Sequence, residues 1–124
     1  MNLDSLSIVG MHFRPPAKAI LAHLPSGANL YLQREPENPY DENAVMVLVD
    51  YEEIPEGQHT QLACVAEPYG YSLEDLAKNS PWHLGYISRQ EAETLSPILL
   101  SNPSYGATLA FSPEGKPLAN ITFY

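Results

Sequence analysis

The sequence predicts a mostly β protein of the α+β class, a small closed or half-closed barrel of six or seven short strands accompanied by two or three short helices. Apolar stretches with the two-residue alternation of strands are brief, and turn residues separate them. Twelve prolines and seven glycines in 124 residues predict short elements joined by many turns. A chain of this length buries one hydrophobic core but not two. We therefore expect a single domain over residues 1–124.

The first half of the chain predicts three strands and one helix. The first strand covers residues 6–13, and Gly10 interrupts its alternation. A helix begins at Pro16 and ends at the Pro-Ser-Gly turn that follows it. Residues 28–34 and 45–49 form the next two strands, and the second is apolar on both faces, so we expect it to be central or covered by a helix. The apolar face of the helix consists of Ala17, Ile20, Leu21 and Leu24.

A long interruption rich in Pro, Gly and Glu follows at residues 50–83. It predicts one strand, at residues 61–66, with Cys64 as an ordinary core cysteine. It also predicts one helical turn that begins at Ser72, because Asp75 three residues later gives the spacing of a capping box.

The last third of the chain predicts a strand, a helix and a closing hairpin. Residues 84–87 form the strand, and Ser88 with Glu91 predicts a second capping box at the start of the helix. Residues 106–111 and 118–124 pair around a turn in which Gly115 is suited to a positive φ. A barrel of this size and strand number is OB-like in style. The helix has Ala92, Leu95 and Leu99 at helical spacing.

The stretch between the second and third strands, residues 34–45, is dense in turn chemistry. Pro36 and Pro39 fix φ, and the side chains of Asn38, Asp41 and Asn43 are suited to hydrogen bonds with the neighbouring backbone. Such a loop is rigid without being buried, and binding groups often lie on loops of this kind. It presents an amide, the aromatic ring of Tyr40 and a carboxylate in one local arrangement. The alternative is a well-made turn in which Asp41 only caps the backbone.

Three motifs make the chain resemble the HIRAN domain family, in particular its stand-alone bacterial or phage type. They are N-P-Y-D-E-N-A-V at 38–45, I-V-G-M-H-F at 8–13 and L-G-Y-I at 84–87. The family also occurs fused to fork-remodelling helicases and nucleases, so the resemblance implies such a protein as a partner. Relatives usually cross residues 50–82 with a tight hairpin, which implies an acidic insertion of roughly 25 residues here, a length well above that of ordinary loops.

The resemblance implies a site for DNA ends. In the family the loop aspartate meets a terminal 3′-hydroxyl and aromatic rings sandwich the last bases, which assigns these roles here to Asp41, Tyr40 and Phe13. Tyr86 stands where some relatives carry histidine. The family often has an arginine and two aromatics where this chain has His12, Phe13 and Arg14, so a titratable imidazole replaces a permanent charge. The implied nucleic-acid-binding residues are His12, Phe13, Arg14, Asn38, Tyr40, Asp41, Tyr86 and Arg89.

Purely structural roles are the alternatives for two of these residues. Phe13 is equally suited to the core. Arg89 is equally suited to a solvated first turn of a helix, although a cation there opposes the helix dipole, which slightly favours a ligand-facing role.

The net charge of −9 disfavours nucleic-acid binding, because phosphate contacts come mainly from Lys and Arg. The distribution of this charge along the chain weakens the objection, because most of it lies in one segment. Residues 50–78 contain seven acidic residues and one lysine, a net charge of −6, so the rest of the chain carries −3. The basic residues in or beside the family-like segments are Arg14, Lys18, Arg34 and Arg89.

Two functions remain open at this point. The first is a module without catalysis that recognises single-stranded or frayed DNA ends, with a preference for a free 3′-hydroxyl. The second is an acidic protein-interaction or DNA-mimic module that acts on a basic DNA-handling protein. The two are distinguished by whether the acidic side chains surround Tyr40 or lie apart from it.

Other classes lack the necessary residues. One cysteine forms no internal disulfide, and four scattered histidines do not supply the spacing of a zinc site, so we expect no metal and no cofactor. The P-D and E-x-K elements around Asp41 and Glu114 are too far apart for the nuclease pattern, and no phosphate-binding G-x-x-x-x-G-K loop is present. The longest apolar run, residues 44–49, is too short to span a bilayer. We expect a soluble intracellular protein that does not bind membranes.

Overall fold

Six antiparallel strands form a closed barrel in the computed structural model, which describes residues 1–11, 15–102 and 104–124. The order of strands around the barrel is β1-β4-β3-β2-β5-β6, and β6 pairs with β1. The predicted barrel is therefore confirmed, and of the alternatives left open it is closed and has six strands. They are β1 (Asn2–Val9), β2 (Asn29–Arg34), β3 (Val45–Val49), β4 (Trp82–Ile87), β5 (Tyr105–Phe111) and β6 (Pro117–Phe123).

Four α-helices accompany the barrel in the part of the chain that the structure describes, against the two or three expected. They are α1 (Pro15–Ala22), α2 (His59–Ala66), α3 (Leu73–Lys78) and α4 (Arg89–Ser101). Short 3₁₀ turns cover residues 51–53, 56–58 and 67–69. The surplus helix is α2, so the strand predicted at residues 61–66 was wrong.

The burial pattern explains why residues 59–66 form a helix. Leu62 and Ala66 are both fully buried, a spacing of four residues that puts them on one face of a helix and not on one face of a strand. Alanines at 63 and 66 also favour a helix over a strand. Cys64 points away from that buried face and is exposed, so the expectation of a core cysteine was wrong as well.

Strand β3 lies in the centre of its sheet and contributes the barrel's inner wall. Val45, Val47 and Val49 are fully buried, whereas Met46 and Leu48 on the other face are half-buried. β3 pairs with β2 on one side and with β4 on the other. The expectation was a strand that is central or covered by a helix, and its central position is confirmed.

Segment 50–81, between β3 and β4, packs on the barrel through its apolar side chains. Ile54, Leu62 and Leu76 belong to the same continuous cluster of buried residues as the strands of the barrel. The 3₁₀ turns and the helices α2 and α3 of this segment are therefore held by the core. Its exposed side is the acidic one.

The barrel closes because β1 changes partner along its length. Its first residues pair with β6, and Ile8 and Val9 pair with Ile87 and Tyr86 of β4. Within the β6 pairing, between Leu3 and Leu6, the register is irregular, and Ser5 has a φ of 59°. A bulge of this kind bends a strand and increases its twist, which lets one strand serve two sheets.

The seam between β1 and β4 requires glycine at position 85. A β-carbon built on Gly85 would overlap the carbonyl oxygen of Val9 and touch the side chain of Ile8. Because the obstacle is backbone, a rotamer change does not relieve the overlap. The glycine of the L-G-Y-I motif therefore has a packing reason.

Local predictions around the turns are confirmed. Ser72 and Asp75 form the expected capping box of α3, with backbone-to-side-chain hydrogen bonds of 3.0 and 3.1 Å. The β5–β6 hairpin turns at Gly115, whose φ is 80°. The predicted apolar face of α1, including Ala17 and Ile20, is buried.

We expect Gly85→Ala to destabilise the protein by about 1–3 kcal/mol, the usual cost of overpacking, because β1 must move away from β4. Chemical denaturation measures the change in the free energy of unfolding. Gly57→Ala is the matched control, since a β-carbon there meets nothing within 4 Å and its φ is not positive. Equal effects of the two substitutions would contradict the close approach of Val9.

We expect the contribution of the α3 capping box to depend on pH. Hydrogen bonds from the backbone and the side chain of Ser72 lower the pKa of Asp75 below its ordinary value of 3.8. A carboxylate whose pKa is lower in the folded than in the unfolded state stabilises the fold above the unfolded pKa, and this stabilisation is lost as the pH falls through the folded pKa. The difference in unfolding free energy between wild type and Asp75→Asn should therefore shrink from pH 6 to pH 3, as measured by urea titrations. A difference that stays constant would contradict this assignment, and Glu74→Gln is the neighbouring control.

Candidate nucleic-acid interface

The loop between β2 and β3 is held by its own hydrogen bonds. The Glu35 amide donates to the Ala44 carbonyl over 2.8 Å, which closes the loop at its base. The side-chain oxygen of Asn38 accepts the amides of Tyr40 and Asp41 over 2.9 and 3.2 Å, and its amide donates to the Glu35 carboxylate over 2.6 Å. The expected rigid loop is present, and the amide of Asn38 serves to build it.

Tyr40 and Asp41 are the groups that the loop presents outward. The side chain of Tyr40 is 85% exposed. One carboxylate oxygen of Asp41 accepts the Asn43 amide over 2.9 Å, and the other makes no hydrogen bond with the described residues. Asp41 therefore caps its turn and still offers an acceptor to a ligand.

Tyr86 connects the loop to the barrel wall. Its hydroxyl donates to the Glu35 carboxylate over 3.1 Å, and its ring meets that of His83 edge to face, with centroids 4.8 Å apart. Cross-strand pairing sets Tyr86 between Met46 of β3 and Val9 of β1. These three side chains share the outer face of the sheet, because directly paired residues point to the same side.

Arg89 is the first residue of α4 and is exposed to solvent. It follows Tyr86 by three residues. The capping box predicted at this helix is wrong, although the helix begins where expected. The Ser88 amide donates to the Ser7 carbonyl over 2.8 Å, so it is not available to Glu91. The Glu91 carboxylate instead accepts the Ser88 hydroxyl and the Ser7 amide, each over 2.7 Å. These bonds fix the start of α4 against β1.

A pocket of about 270 Å³ lies where the loop, the end of β4 and the start of α4 meet. Five of the eight predicted site residues line it, although residues 38–41 and 86–89 are far apart in the sequence. The other three, His12, Phe13 and Arg14, lie outside the described residues. The lining consists of Val9, Asn38, Tyr40, Asp41, Ala44, Tyr86, Ile87 and Arg89.

Sequence reasoning missed the apolar part of the lining. Val9, Ala44 and Ile87 line the pocket, and Glu35 supports it from behind through Asn38 and Tyr86. Val9, Ala44 and Ile87 lie within the motifs quoted above, and Glu35 lies within the turn-rich stretch 34–45. Their role depends on which strands are neighbours, which the motifs alone do not specify.

The acidic residues of segment 50–81 do not line this pocket. Most of them are exposed, and two, Glu67 and Asp75, line a separate pocket of about 380 Å³. The loop itself adds two exposed acids, Glu37 and Glu42. The pocket therefore combines the positive charge of Arg89 with a negatively charged loop.

Neither a metal-binding cluster nor a membrane-spanning helix is found among the described residues. Within residues 1–11, 15–102 and 104–124, the His, Cys, Asp and Glu side chains form no group of three that is suited to a metal ion. The helices over the same residues are all too short or too polar to cross a membrane.

The fold defines a small antiparallel barrel of the OB-like type with a pocket beside one inter-strand loop. The chain belongs to the HIRAN family, since the family model described as the HIRAN domain matches residues 5–120. HIRAN domains are DNA-binding domains.

Two solved structures have the same fold. The HIRAN domain of human HLTF has a TM-score of 0.55 and 15% identity, over 98% of this chain and 74% of that one. A Lactobacillus plantarum protein has a TM-score of 0.61 and 20% identity, over 98% of this chain and 92% of that one. No curated protein has significant sequence similarity to the chain.

Proposed function

We propose that this chain is a non-catalytic module that binds the ends of single-stranded or frayed DNA, with a preference for a free 3′-hydroxyl. The observation that carries the proposal is the convergence of Asn38, Tyr40, Asp41, Tyr86 and Arg89 on one pocket. Membership of a DNA-binding family supports the nucleic-acid part of the proposal. The preference for an end rests on the chemistry of the pocket itself.

Asp41 gives the physical reason for an end. A carboxylate repels phosphate but accepts a hydrogen bond from a hydroxyl, and charge-assisted bonds of this kind are strong. In a DNA strand a free 3′-hydroxyl exists only at the terminus. Since one oxygen of Asp41 is engaged by the Asn43 amide, the carboxylate is oriented before a ligand arrives, with its second oxygen available.

Tyr40 and Tyr86 supply the aromatic surface for the terminal bases. Tyr40 is exposed and Tyr86 is half-buried, on two sides of the same pocket. Base stacking is tolerant of sequence, because every base has a π-face. Arg89 contributes a positive charge to the pocket, for a phosphate of the strand. The pocket is therefore suited to an end of any sequence.

The expected affinity is modest. Two stacked bases at about 1–3 kcal/mol each, with a few charge-assisted contacts, give micromolar binding, roughly −8 kcal/mol. Two or three phosphate contacts give a slope of log K against log salt of about −2 for a single strand. The acids of the loop, Glu37 and Glu42, oppose tighter binding.

We expect a short single-stranded DNA with a 3′-hydroxyl to bind roughly ten-fold tighter than the same strand with a 3′-phosphate, because Asp41 repels the added charge. Fluorescence anisotropy at low and moderate salt measures both affinities. Asp41→Asn should abolish the preference while keeping the turn, since an amide oxygen also accepts the Asn43 N–H. Glu42→Gln, the same change at the next residue, should preserve the preference. Equal binding of both ends by the wild type would refute the end-recognition proposal.

We expect Tyr40→Ala to weaken binding of the hydroxyl end by roughly five-fold or more, the equivalent of at least one lost stacking contact. Its thermal stability should change little, because the ring is exposed. Tyr69→Ala is the matched control, since Tyr69 is a second exposed tyrosine, 56% exposed, that does not line the pocket. Unchanged binding in Tyr40→Ala would remove the stacking role.

A second candidate function follows if neither end binds at low salt. Segment 50–81 carries exposed acids together with two exposed apolar side chains, Val65 and Tyr69. That combination fits a protein-interaction surface for a basic partner, such as a DNA-handling helicase or nuclease. Because these acids lie apart from the Tyr40 pocket, the two functions do not exclude each other.

A further inference from the structure

Arg34, at the end of β2, has an unusual environment for an arginine. Its Nε donates to the hydroxyl of Ser96 on α4 over 3.0 Å. Ser96 is 1% exposed, and Arg34 is half-buried. The guanidinium is therefore anchored by one edge at the junction of the barrel and α4.

The other edge of this guanidinium is at least partly accessible to solvent. Its two terminal nitrogens make no hydrogen bond or ion pair with the described residues. No buried side-chain nitrogen or oxygen lacks a partner in the described part of the chain, so these two atoms are not buried. Acidic residues outnumber basic ones by 15 to 6, and still no described carboxylate pairs with Arg34.

A guanidinium has five N–H donors, and the Ser96 hydroxyl takes one of them. The terminal pair of nitrogens forms the planar fork that binds phosphate and carboxylate oxygens. Because Ser96 holds Nε, the fork loses little rotational freedom when an anion binds. A neutral anchor also leaves the full positive charge for that anion.

Helix α4 relates Arg34 to the pocket. Ser96 is seven residues after Arg89, which corresponds to about 10 Å along the helix axis and nearly the same face. A stacked strand advances about 3.4 Å per nucleotide, so this distance spans about three nucleotides. Arg34 is thus held at Ser96, about two turns along α4 from Arg89, and it lies outside the lining of the pocket that contains Arg89.

We propose that Arg34 binds a backbone phosphate of the same DNA strand, about three nucleotides from the end held in the pocket. This inference rests on the proposed function, since it assumes that an end occupies the pocket. It adds a direction to that function, because the strand leaves the pocket along α4. Ser96 is the positioning residue that orients the fork.

The test compares two lengths of 3′-hydroxyl DNA, a dinucleotide and an octanucleotide, by fluorescence anisotropy. Arg34→Gln should weaken the octanucleotide by roughly ten-fold and leave the dinucleotide unchanged, because only the longer strand reaches residue 34. The salt slope for the octanucleotide should become less steep by about 0.7, the value for one phosphate contact of a single strand. Lys116→Gln, which removes the same charge from the β5–β6 turn, should change neither strand more than slightly.

Replacing one phosphate at a time by an uncharged methylphosphonate locates the contact. In the wild type one linkage, about the third from the 3′ end, should be sensitive to neutralisation, and Arg34→Gln should abolish the sensitivity at that linkage alone. Ser96→Ala should weaken this contact partly, since the charge remains but the fork is no longer held. Circular dichroism and thermal melting identify any variant that does not fold.

The outcomes separate the two proposals. If the wild type binds neither length, the proposed function fails and the Arg34 contact fails with it. If the wild type binds both lengths and Arg34→Gln weakens them equally, Arg34 only braces the loop against α4 and the phosphate contact is refuted. If folded Arg34→Gln binds both lengths like the wild type, the strand does not pass residue 34, while the end-binding function stands.

Discussion

The close approach of β1 to β4 at Gly85 is the constraint on which the rest of the structure depends. Without a side chain at this residue, the backbone of Val9 passes directly over β4, and β1 can pair with β6 at one end and with β4 at the other. This shared strand closes the barrel. It also brings Val9 beside Tyr86, so the same contact that completes the fold forms one wall of the pocket.

The opposite wall of the pocket depends on a loop that satisfies its own polar groups. The side chain of Asn38 hydrogen-bonds to the backbone of the loop and to Glu35. Tyr40 and Asp41 are therefore directed outward from a rigid turn. Two side-chain hydrogen bonds then fix this wall to the rest of the protein. Tyr86 links Glu35 to β4, and Arg34 links the end of β2 to α4. A site whose walls are braced in this way loses little entropy when a ligand binds.

The distribution of charge reconciles an acidic protein with a DNA-binding family. Five of the seven acids of segment 50–81 are exposed, and none of the seven lines the Tyr40 pocket. Screening at physiological salt limits their effect beyond about 8 Å. The charges near a strand bound in the pocket are therefore local, and they are few: Arg89, Arg34, Asp41 and the acids of the loop.

The sequence by itself determined the elements whose causes are local. Alternating valines identified β3, Ser72 and Asp75 identified the start of α3, and the Asn and Pro residues of the loop identified a rigid turn with an outward Tyr40 and Asp41. These features follow from side-chain period, capping and turn chemistry, which act within a few residues. The number and spacing of the predicted strands indicated the barrel, and the family resemblance agreed with it.

Only the tertiary structure decided what depends on neighbours that are distant in the chain. Residues 59–66 form a helix because the core accepts Leu62 and Ala66 on one face, a preference that eight residues do not express alone. Glu91 does not complete a capping box because Ser7 of β1 takes the Ser88 amide first. The pocket likewise exists only because the barrel brings residues 38–41 to residues 86–89. Local sequence determines which side chains each loop and strand exposes. Strand pairing determines which of those side chains come together in the pocket.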